Sequence, residues 1–355
     1  MTTPAYYNTD VLLDAIKTMP KATSFITNRY FPEAETAEFI TNKVLVEIEN
    51  GNRRLAPFVV PHIGGVAVDR EGYKTKEFEP ANIEVKKILK VEELTHKGFG
   101  EALYHQEKPE VREQKLLLKD YSDLDDRITR RQELMGCELF ETSKLEMNYN
   151  IGGDKTDTKE LRFYDGDSNP NAYSIETKWN QAGADIISDL FEMCTVLQEN
   201  GVNAVDVLFT PKVMKAARNN EKFIKLLDNK NYQLGFIAPN ELGNGARKLG
   251  EINADGFLLN VIMYNEKYMN EDGILVPYLT DGKVIVTAPN VGQTVYGAVT
   301  QMEESDRQTH TYAGRRVPKI ITDVNTDKKE LKLTAKPLLV PKFVCGWITA
   351  EAVSA

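Results

Sequence analysis

Cysteine is scarce in this chain. Cys137, Cys194 and Cys345 are far apart and odd in number, so neither a disulfide framework nor a paired-cysteine metal site is encoded. They read as small buried hydrophobes in a reducing compartment. Histidine is equally thin: His62, His96, His105 and His310 are scattered, with no HExxH pair among them. A GxSxG elbow for a serine nucleophile is missing too, and with it the commonest local signature of a hydrolase. No stretch approaches the roughly eighteen uncharged apolar residues of a membrane span. The opening Met1-Thr2-Thr3-Pro4 lacks the basic start and apolar run of a secretory signal. The expectation is a chain that remains in the cytoplasm where it is made, with no membrane partner. Nor is there an excess of positive charge: 44 Lys and Arg stand against 53 Asp and Glu, a net charge of -9. A protein that grips nucleic acid tightly would carry a basic balance or stripe, whereas here bases alternate with acids, as in Glu84-Val85-Lys86-Lys87.

What is present is a chain of 355 residues, 41% hydrophobic and 27% charged, long enough for one large or two medium domains with real cores. The first thirty residues read as a short helix and an arm. Thr9 or Asp10 caps a helix carrying Val11, Leu12, Ile16 and Met19, and Pro20 ends it. Phe25, Tyr30, Phe31 and Pro32 form an aromatic patch expected to dock on the chain's own core. From Val44 to Ile48 apolar residues alternate as in a strand. Gly51-Asn52 marks a turn, and Pro57 and Pro61 confine the strand beyond it to an edge or a projection. Residues 43–90 therefore read as a long two-stranded excursion with little core of its own, which needs a surface to lie on.

Residues 118–144 carry a helical pattern: Leu124, Ile128, Met135 and Leu139 in a narrow stripe, with Asp123–Arg127 and Asp126–Arg130 as i,i+4 pairs. A narrow stripe beside a wide charged face predicts a helix lying across a surface. A strand pair broken at Gly152-Gly153 comes next, then a polar loop from Asp165 to Asn180. Beyond it the pattern is compact α/β. Ile187, Leu190, Phe191, Cys194 and Leu197 mark a helix face closed by Asn200-Gly201, and Val205, Val207 and Phe209 mark a strand. Thr210-Pro211 opens a helix reaching about Leu227. Asp281-Gly282 reads as a hairpin turn joining 274–279 to 284–287, and the chain from Lys332 is β-rich.

Two motifs invite a ligand. Asp165, Asp167 and Asn169, with Glu176 closing the loop, have the spacing of a calcium-wrapping EF-hand. Pro170, however, stands where a residue at positive φ is required, so a polar turn is the expectation and a calcium site the alternative. Gly243-Asn244-Gly245-Ala246-Arg247-Lys248-Leu249-Gly250 has the wrong spacing for a dinucleotide loop and lacks a Gly-Lys-Ser/Thr ending; it reads as a flexible surface loop. No cofactor and no enzymatic activity are expected. Extended arms and exposed elements without catalytic chemistry suit a chain whose neighbours bury them.

Particular residues carry a resemblance. Arg53-Arg54-Leu55-Ala56-Pro57-Phe58-Val59-Val60-Pro61-His62-Ile63-Gly64-Gly65 continues through Gly72-Tyr73-Lys74-Thr75 to Phe78-Glu79-Pro80 and Ile83. Gly292-Gln293-Thr294-Val295-Tyr296-Gly297-Ala298, Arg315-Arg316-Val317-Pro318-Lys319 and Pro337-Leu338-Leu339 come later, in that order. Together they resemble the lambda-like major head proteins of tailed bacteriophages over nearly the full length. The resemblance implies an α+β chain with the Hong-Kong-97-type major capsid fold. In that fold 1–42 would be the N-terminal arm, 43–90 the extended loop, and 91–184 the peripheral domain with a spine helix at about 120–144. Residues 185–300 would form the axial domain, and 301–355 would return to the periphery. It implies self-assembly, through hexamers and pentamers, into the icosahedral head shell around double-stranded DNA, in a virion put together in the host cytoplasm. A separate scaffolding protein, a portal and a decoration protein would be partners, and the packaged DNA would be near but not specifically bound. Arg53, Arg54, Phe58, Tyr73 and Phe78 are the inter-subunit contacts it suggests. A cellular nanocompartment shell of the same fold, or a calcium-binding or hydrolytic protein, are the competing readings.

Overall fold

In a computed structural model the residues described are 24–39, 44–48, 74–90, 109–152, 155–166, 168–220, 223, 240–243, 245–304 and 306–354. The expected helix at 10–19 and the segment 49–73, with Pro57 and Pro61, lie outside them. In chain order the first elements are α1 (Phe25–Tyr30), β1 (Glu33–Glu38), β2 (Val44–Ile48), β3 (Lys74–Phe78), β4 (Ile83–Lys90) and α2 (Pro109–Thr142). Next come β5 (Lys144–Gly152), β6 (Lys155–Arg162), β7 (Ala172–Tyr173), α3 (Ile186–Glu199), β8 (Asp206–Phe209) and α4 (Pro211–Asn219). The β-rich remainder runs β9 (Asn240–Gly243), β10 (Ala246–Ala254), β11 (Phe257–Tyr264), β12 (Lys267–Met269), β13 (Leu275–Pro277) and β14 (Lys283–Thr287). It closes with β15 (Gly292–Tyr296), β16 (Val299–Met302), β17 (Thr309–Tyr312), β18 (Val317–Asp323), β19 (Lys328–Ala335), β20 (Pro337–Pro341) and β21 (Trp347–Glu351).

Three sheets carry the core. The largest, seven-stranded, runs β7-β21-β14-β8-β11-β10-β9. Its centre is apolar on both faces, as a sheet packed on both sides must be: every residue of β8 is buried, as are Val284, Ile285 and Val286 of β14. A second sheet, β1-β15-β20, joins the N-terminal segment to the C-terminal strands, and a third is β18-β19-β4. The aromatic patch docks where it was expected to: Phe25 is 6% exposed and Tyr30 and Phe31 are 0%. Their rings pack against Phe140, Tyr264 and Trp347, each buried ring contributing roughly 1.5–3 kcal/mol.

Helix α2 spans these units and differs from its expectation in two ways. It starts at Pro109, well before residue 118, because a proline at the first helical position gives up no hydrogen bond. Its apolar stripe is also not confined to a surface. The N-terminal half does lie on the sheet β18-β19-β4, where Tyr121, Leu124 and Ile128 meet Leu331 and Leu333. At the margin of that contact Lys87 reaches Asp120 at 2.9 Å and Lys329 reaches Glu113. The C-terminal half sinks into the main core with Cys137, Leu139 and Phe140 at 0% exposure. Gly136 permits the close approach: a Cβ there would sit 3.0 Å from Ile26 Cγ2 and 3.4 Å from Leu339 Cδ2.

Two further readings are corrected. Asp281-Gly282 does make a turn, but β13 and β14 do not pair. β13 folds back on β12, while β14 inserts between β8 and β21 in the large sheet, where its apolar residues gain two covered faces. Of the segment Gly243–Gly250, Gly243 ends β9 and Ala246–Gly250 open β10, which pairs with both β9 and β11, so these residues are strand and not a flexible loop. Gly245, at φ +72°, is required there, since a Cβ would also come within 2.9 Å of the Glu266 backbone nitrogen, which cannot swing aside.

Candidate assembly site around the long helix

Four polar residues of α2, Asp125, Thr129, Gln132 and Glu133, stand at helical phases that face inward, and all are buried. Buried polar groups must find partners, and these ones tie α1 and the Arg315-Arg316 segment to the helix. Helix α1 has Ser24 at its N-cap, but the serine side chain makes no capping bond. Glu133 supplies it from across the fold. The amides of Phe25 and Ile26 donate to its Oε1 at 3.1 and 2.9 Å, and Thr27 donates to Oε2 from its amide at 3.0 Å and its hydroxyl at 3.1 Å. Tyr264 Oη donates to Oε1 at 2.9 Å. A carboxylate at a helix N-terminus satisfies the orphan donors and opposes the helix dipole.

The other end of α1 is held by Asp206 of β8. Arg29 grips it with Nε at 2.6 Å and Nη2 at 2.9 Å, Tyr30 Oη donates at 3.1 Å, and Asn260 Nδ2 at 2.8 Å. Burial pushes the Tyr30 and Tyr264 phenols well above their ordinary range, so both remain protonated donors to these carboxylates.

A second knot secures the C-terminal strands. Asp125 receives Arg316 Nε at 2.6 Å and Arg315 Nη2 at 2.9 Å. The Arg316 side chain is 1% exposed, and its Nη2 also donates to Gln132 Oε1 at 2.8 Å and to Thr129 at 3.2 Å. Gln132 passes the network on to Tyr296 Oη at 3.2 Å, and Tyr296 to Glu33 at 3.3 Å. Beside Glu33 a groove of about 690 Å³ opens between Pro32, Ala34, Phe39, Val295 and Lys342.

Nearby, Glu138 is held up at about 7, chiefly by burial and further by Glu141 and Glu146, against the pull of Arg131. A carboxyl raised from 4.5 to about 7 binds its proton more tightly folded than unfolded. Its ionisation therefore costs stability as pH rises through that window, and the cost is fully present above it. Glu138→Gln should raise the melting temperature at pH 8 by roughly 2 °C or more, with a smaller gain at pH 5. Calorimetry at the two pH values checks this; an equal gap at both would show that ionisation of Glu138 is not the cause.

Of the residues expected at subunit contacts, Arg53, Arg54, Phe58 and Tyr73 lie outside the described residues. Phe78, at the end of β3, is 7% exposed with its ring 5.0 Å from that of Phe163, and Glu79 beside it pairs with Lys159 at 3.2 Å. Sequence reasoning passed over Asp125, Glu133 and Asp206. Its available signal was polar side chains at the phase of the apolar stripe. Asp126–Arg130 does form, at 3.8 Å, but Asp123 turns to Lys87. Cys137 and Cys194 are buried and Cys345 is half-buried, all with thiols pushed up by burial. Beyond Asp165, with Asp167 outside the described residues, Asn169 Oδ1 accepts from the Asn171 amide at 3.0 Å in a turn. Among the described residues no group of three or more His, Cys, Asp or Glu could hold a metal ion, and no helix is long and apolar enough to cross a membrane.

A prophage capsid protein of Escherichia coli CFT073 superposes with a TM-score of 0.66 at 17% identity, covering 98% of this chain and 99% of that one. A phage-related protein of Bordetella bronchiseptica RB50 does so at 0.52, with 9% identity over 97% and 96%. In sequence, the major capsid protein of Enterobacteria phage P21 is 21% identical over 314 residues, 86% of this chain and 87% of that protein. The P21 prophage-derived major head protein of Escherichia coli O6:H1 matches to the same extent. The chain belongs to the family described as phage major capsid protein E, which it matches over residues 8–352.

Proposed function

We propose that this chain self-assembles, as hexamers and pentamers, into the icosahedral head shell that encloses phage double-stranded DNA. The observation that carries the reading is the way the fold divides its stability. One frame is knotted around α2 by Glu133, Asp206 and Asp125. Four two-stranded ribbons, β2–β3, β5–β6, β12–β13 and β16–β17, stand outside the larger sheets. A two-stranded ribbon is marginal by itself in water; Leu145, Met147, Leu161 and Phe78 hold two of these on the chain's own core, while β12–β13, with Met269 and Leu275 bare, leaves surface that a neighbouring copy would cover. Obligate interfaces commonly bury roughly 2,000 Å² or more, and a shell repeats each one many times.

In this reading α2 is the spine of a peripheral domain, residues 185–300 form the axial domain at capsomer centres, and of 43–90 the part before β4 reaches over a neighbour, since β4 itself is paired with β19 in the chain's own sheet. Arg53, Arg54, Phe58 and Tyr73 supply contacts there, whereas Phe78, expected among them, is buried in its own chain's core beside Phe163. Scaffolding, portal and decoration proteins are the further partners, and assembly takes place in the host cytoplasm. The net charge of -9 suits a wall that contains DNA without adhering to it. The test is assembly of the full chain followed by electron microscopy. Uniform polyhedral particles are expected, and deletion of residues 53–76 should leave a soluble subunit that forms none. Normal particles from the deletion would remove the role given to that segment.

A further inference from the structure

The β12–β13 ribbon ends in an unusual tip. Met269, Ile274 and Leu275 are 65%, 60% and 62% exposed, among the barest large hydrophobics of the described residues. The turn between them, Asn270-Glu271-Asp272-Gly273, adds two exposed carboxylates. Asn270 organises the turn, its Oδ1 accepting from the Ile274 amide at 2.8 Å and its Nδ2 donating to Asp272 at 3.4 Å. The tip is therefore a shaped, acidic-and-apolar knob that the described residues of its own chain leave bare.

The opposite character stands on α4. Lys212, Lys215 and Arg218, spaced by three, are all exposed, while Val213, Ala216 and Ala217 face inward. Among the described residues none of the three cations has an ion pair, although elsewhere bases do, as in Lys283–Glu141, Lys248–Glu251 and Lys332–Glu84. Like charges at i,i+3 repel one another along a helix. In a chain of net charge -9, three neighbouring cations left together are a surface suited to an anionic partner. Half-exposed Met214 lies among them, and lysine and arginine stems offer apolar cover of their own.

We infer that the β12–β13 tip of one copy docks on the α4 face of the next, with Glu271 and Asp272 against Lys212, Lys215 and Arg218, and with Met269, Ile274 and Leu275 on the cationic stems and Met214. β8 and β11 run parallel, so α4 and the ribbon leave from the same end of the large sheet, and within one chain no bond joins them among the described residues. A contact between two different patches is head-to-tail, and it closes into a ring when the rotation between copies allows. Each pair is weak alone in water, but a ring repeats it at every subunit, and its charge complementarity chooses register and orientation. The inference rests on the shell reading and names one surface through which it would operate.

Charge reversal tests it in the full chain. Glu271→Lys with Asp272→Lys, and separately Lys212→Glu with Lys215→Glu and Arg218→Glu, should each lower particle yield roughly tenfold with unchanged melting temperature, since every site is exposed. The two sets combined should restore most of the yield. Normal yield from both reversed chains, or no recovery on combining them, overturns the contact while leaving the shell reading intact. A second measurement does not depend on closed particles. Asp272→Cys chains mixed with Lys215→Cys chains and mildly oxidised should give a linked dimer in excess of either chain alone. If wild-type chain forms no particles but this dimer appears, the contact stands and the shell reading falls; if the mixture stays monomeric, the contact is refuted.

Discussion

Arg316→Ala should destabilise the folded chain by about 3–5 kcal/mol, the range found when one partner of a buried ion pair is removed. The guanidinium is 1% exposed and donates at once to Asp125, Thr129 and Gln132. Its loss leaves Asp125, itself 7% exposed, with Arg315 alone at 2.9 and 3.2 Å, and strands Gln132 Oε1 in a dry interior. Arg316→Lys should recover little, because an ammonium cannot reproduce the planar fork that reaches three acceptors. Urea unfolding followed by circular dichroism measures the cost as a lower midpoint with unchanged slope. A double-mutant cycle with Asp125→Asn supplies the sharper check. If the two residues act as one unit, the double variant should fall well short of the summed single losses. Strict additivity would show that Arg316 acts through its packing instead.

The position of this pair explains why so much rides on it. Arg316 sits just before β18, whose sheet partner β19 pairs in turn with β4, so the knot on α2 fixes the start of the whole β18-β19-β4 unit. Lys87 and Lys329 add ion pairs to Asp120 and Glu113 from the same sheet face that carries Leu331 and Leu333. One face of three strands and half of a long helix are thereby matched by apolar contact in the middle and charge at the margin.

Much of the fold was legible in the sequence because its strongest local patterns coincide with its local elements. The alternation at 44–48, the face of α3, the apolar run Val207–Phe209 of β8 and the Thr210-Pro211 helix start are each written in patterns only a few residues long. Pairing across long distances was not legible in the same way. Asp281-Gly282 has the chemistry of a hairpin turn, yet the residues after it are drawn into a seven-stranded sheet whose other strands are far away in sequence. Phe191 fits the apolar face of α3 but ends 36% exposed, with its ring 5.8 Å from that of Phe257 at the sheet margin. The clasps were hidden for a related reason. A glutamate in a charged helix looks like one more solvated side chain until the helix that it caps, a hundred residues earlier, is brought against it. The run Arg315-Arg316 pointed to the right place, but through family resemblance and without its partner.

Glu133→Ala should have a large effect that is local in a way the Arg316 change is not. The substitution removes five hydrogen bonds: three from the first amides of α1, one from the Thr27 hydroxyl and one from Tyr264. Buried donors left without acceptors cost roughly 1–3 kcal/mol each, but α1 is only six residues long, and it can escape most of that cost by detaching. The expected result is therefore a segment 25–31 that exchanges its amide hydrogens orders of magnitude faster while the seven-stranded sheet keeps its protection. Glu133→Gln should lie between. Its oxygen can still accept from Phe25, Ile26 and Tyr264, but its amide then faces the Thr27 N–H, donor against donor. Hydrogen exchange read by mass spectrometry distinguishes the cases, and uniform loosening of the whole chain would mean that Glu133 supports the core generally and is not a clasp for α1. The distinction matters because α1 carries the Phe25, Tyr30 and Phe31 rings into the main core, and Glu133 is what ties the start of that helix to α2. Without it the rings lose the polar latch at the start of their helix and must hold the segment by apolar contact alone.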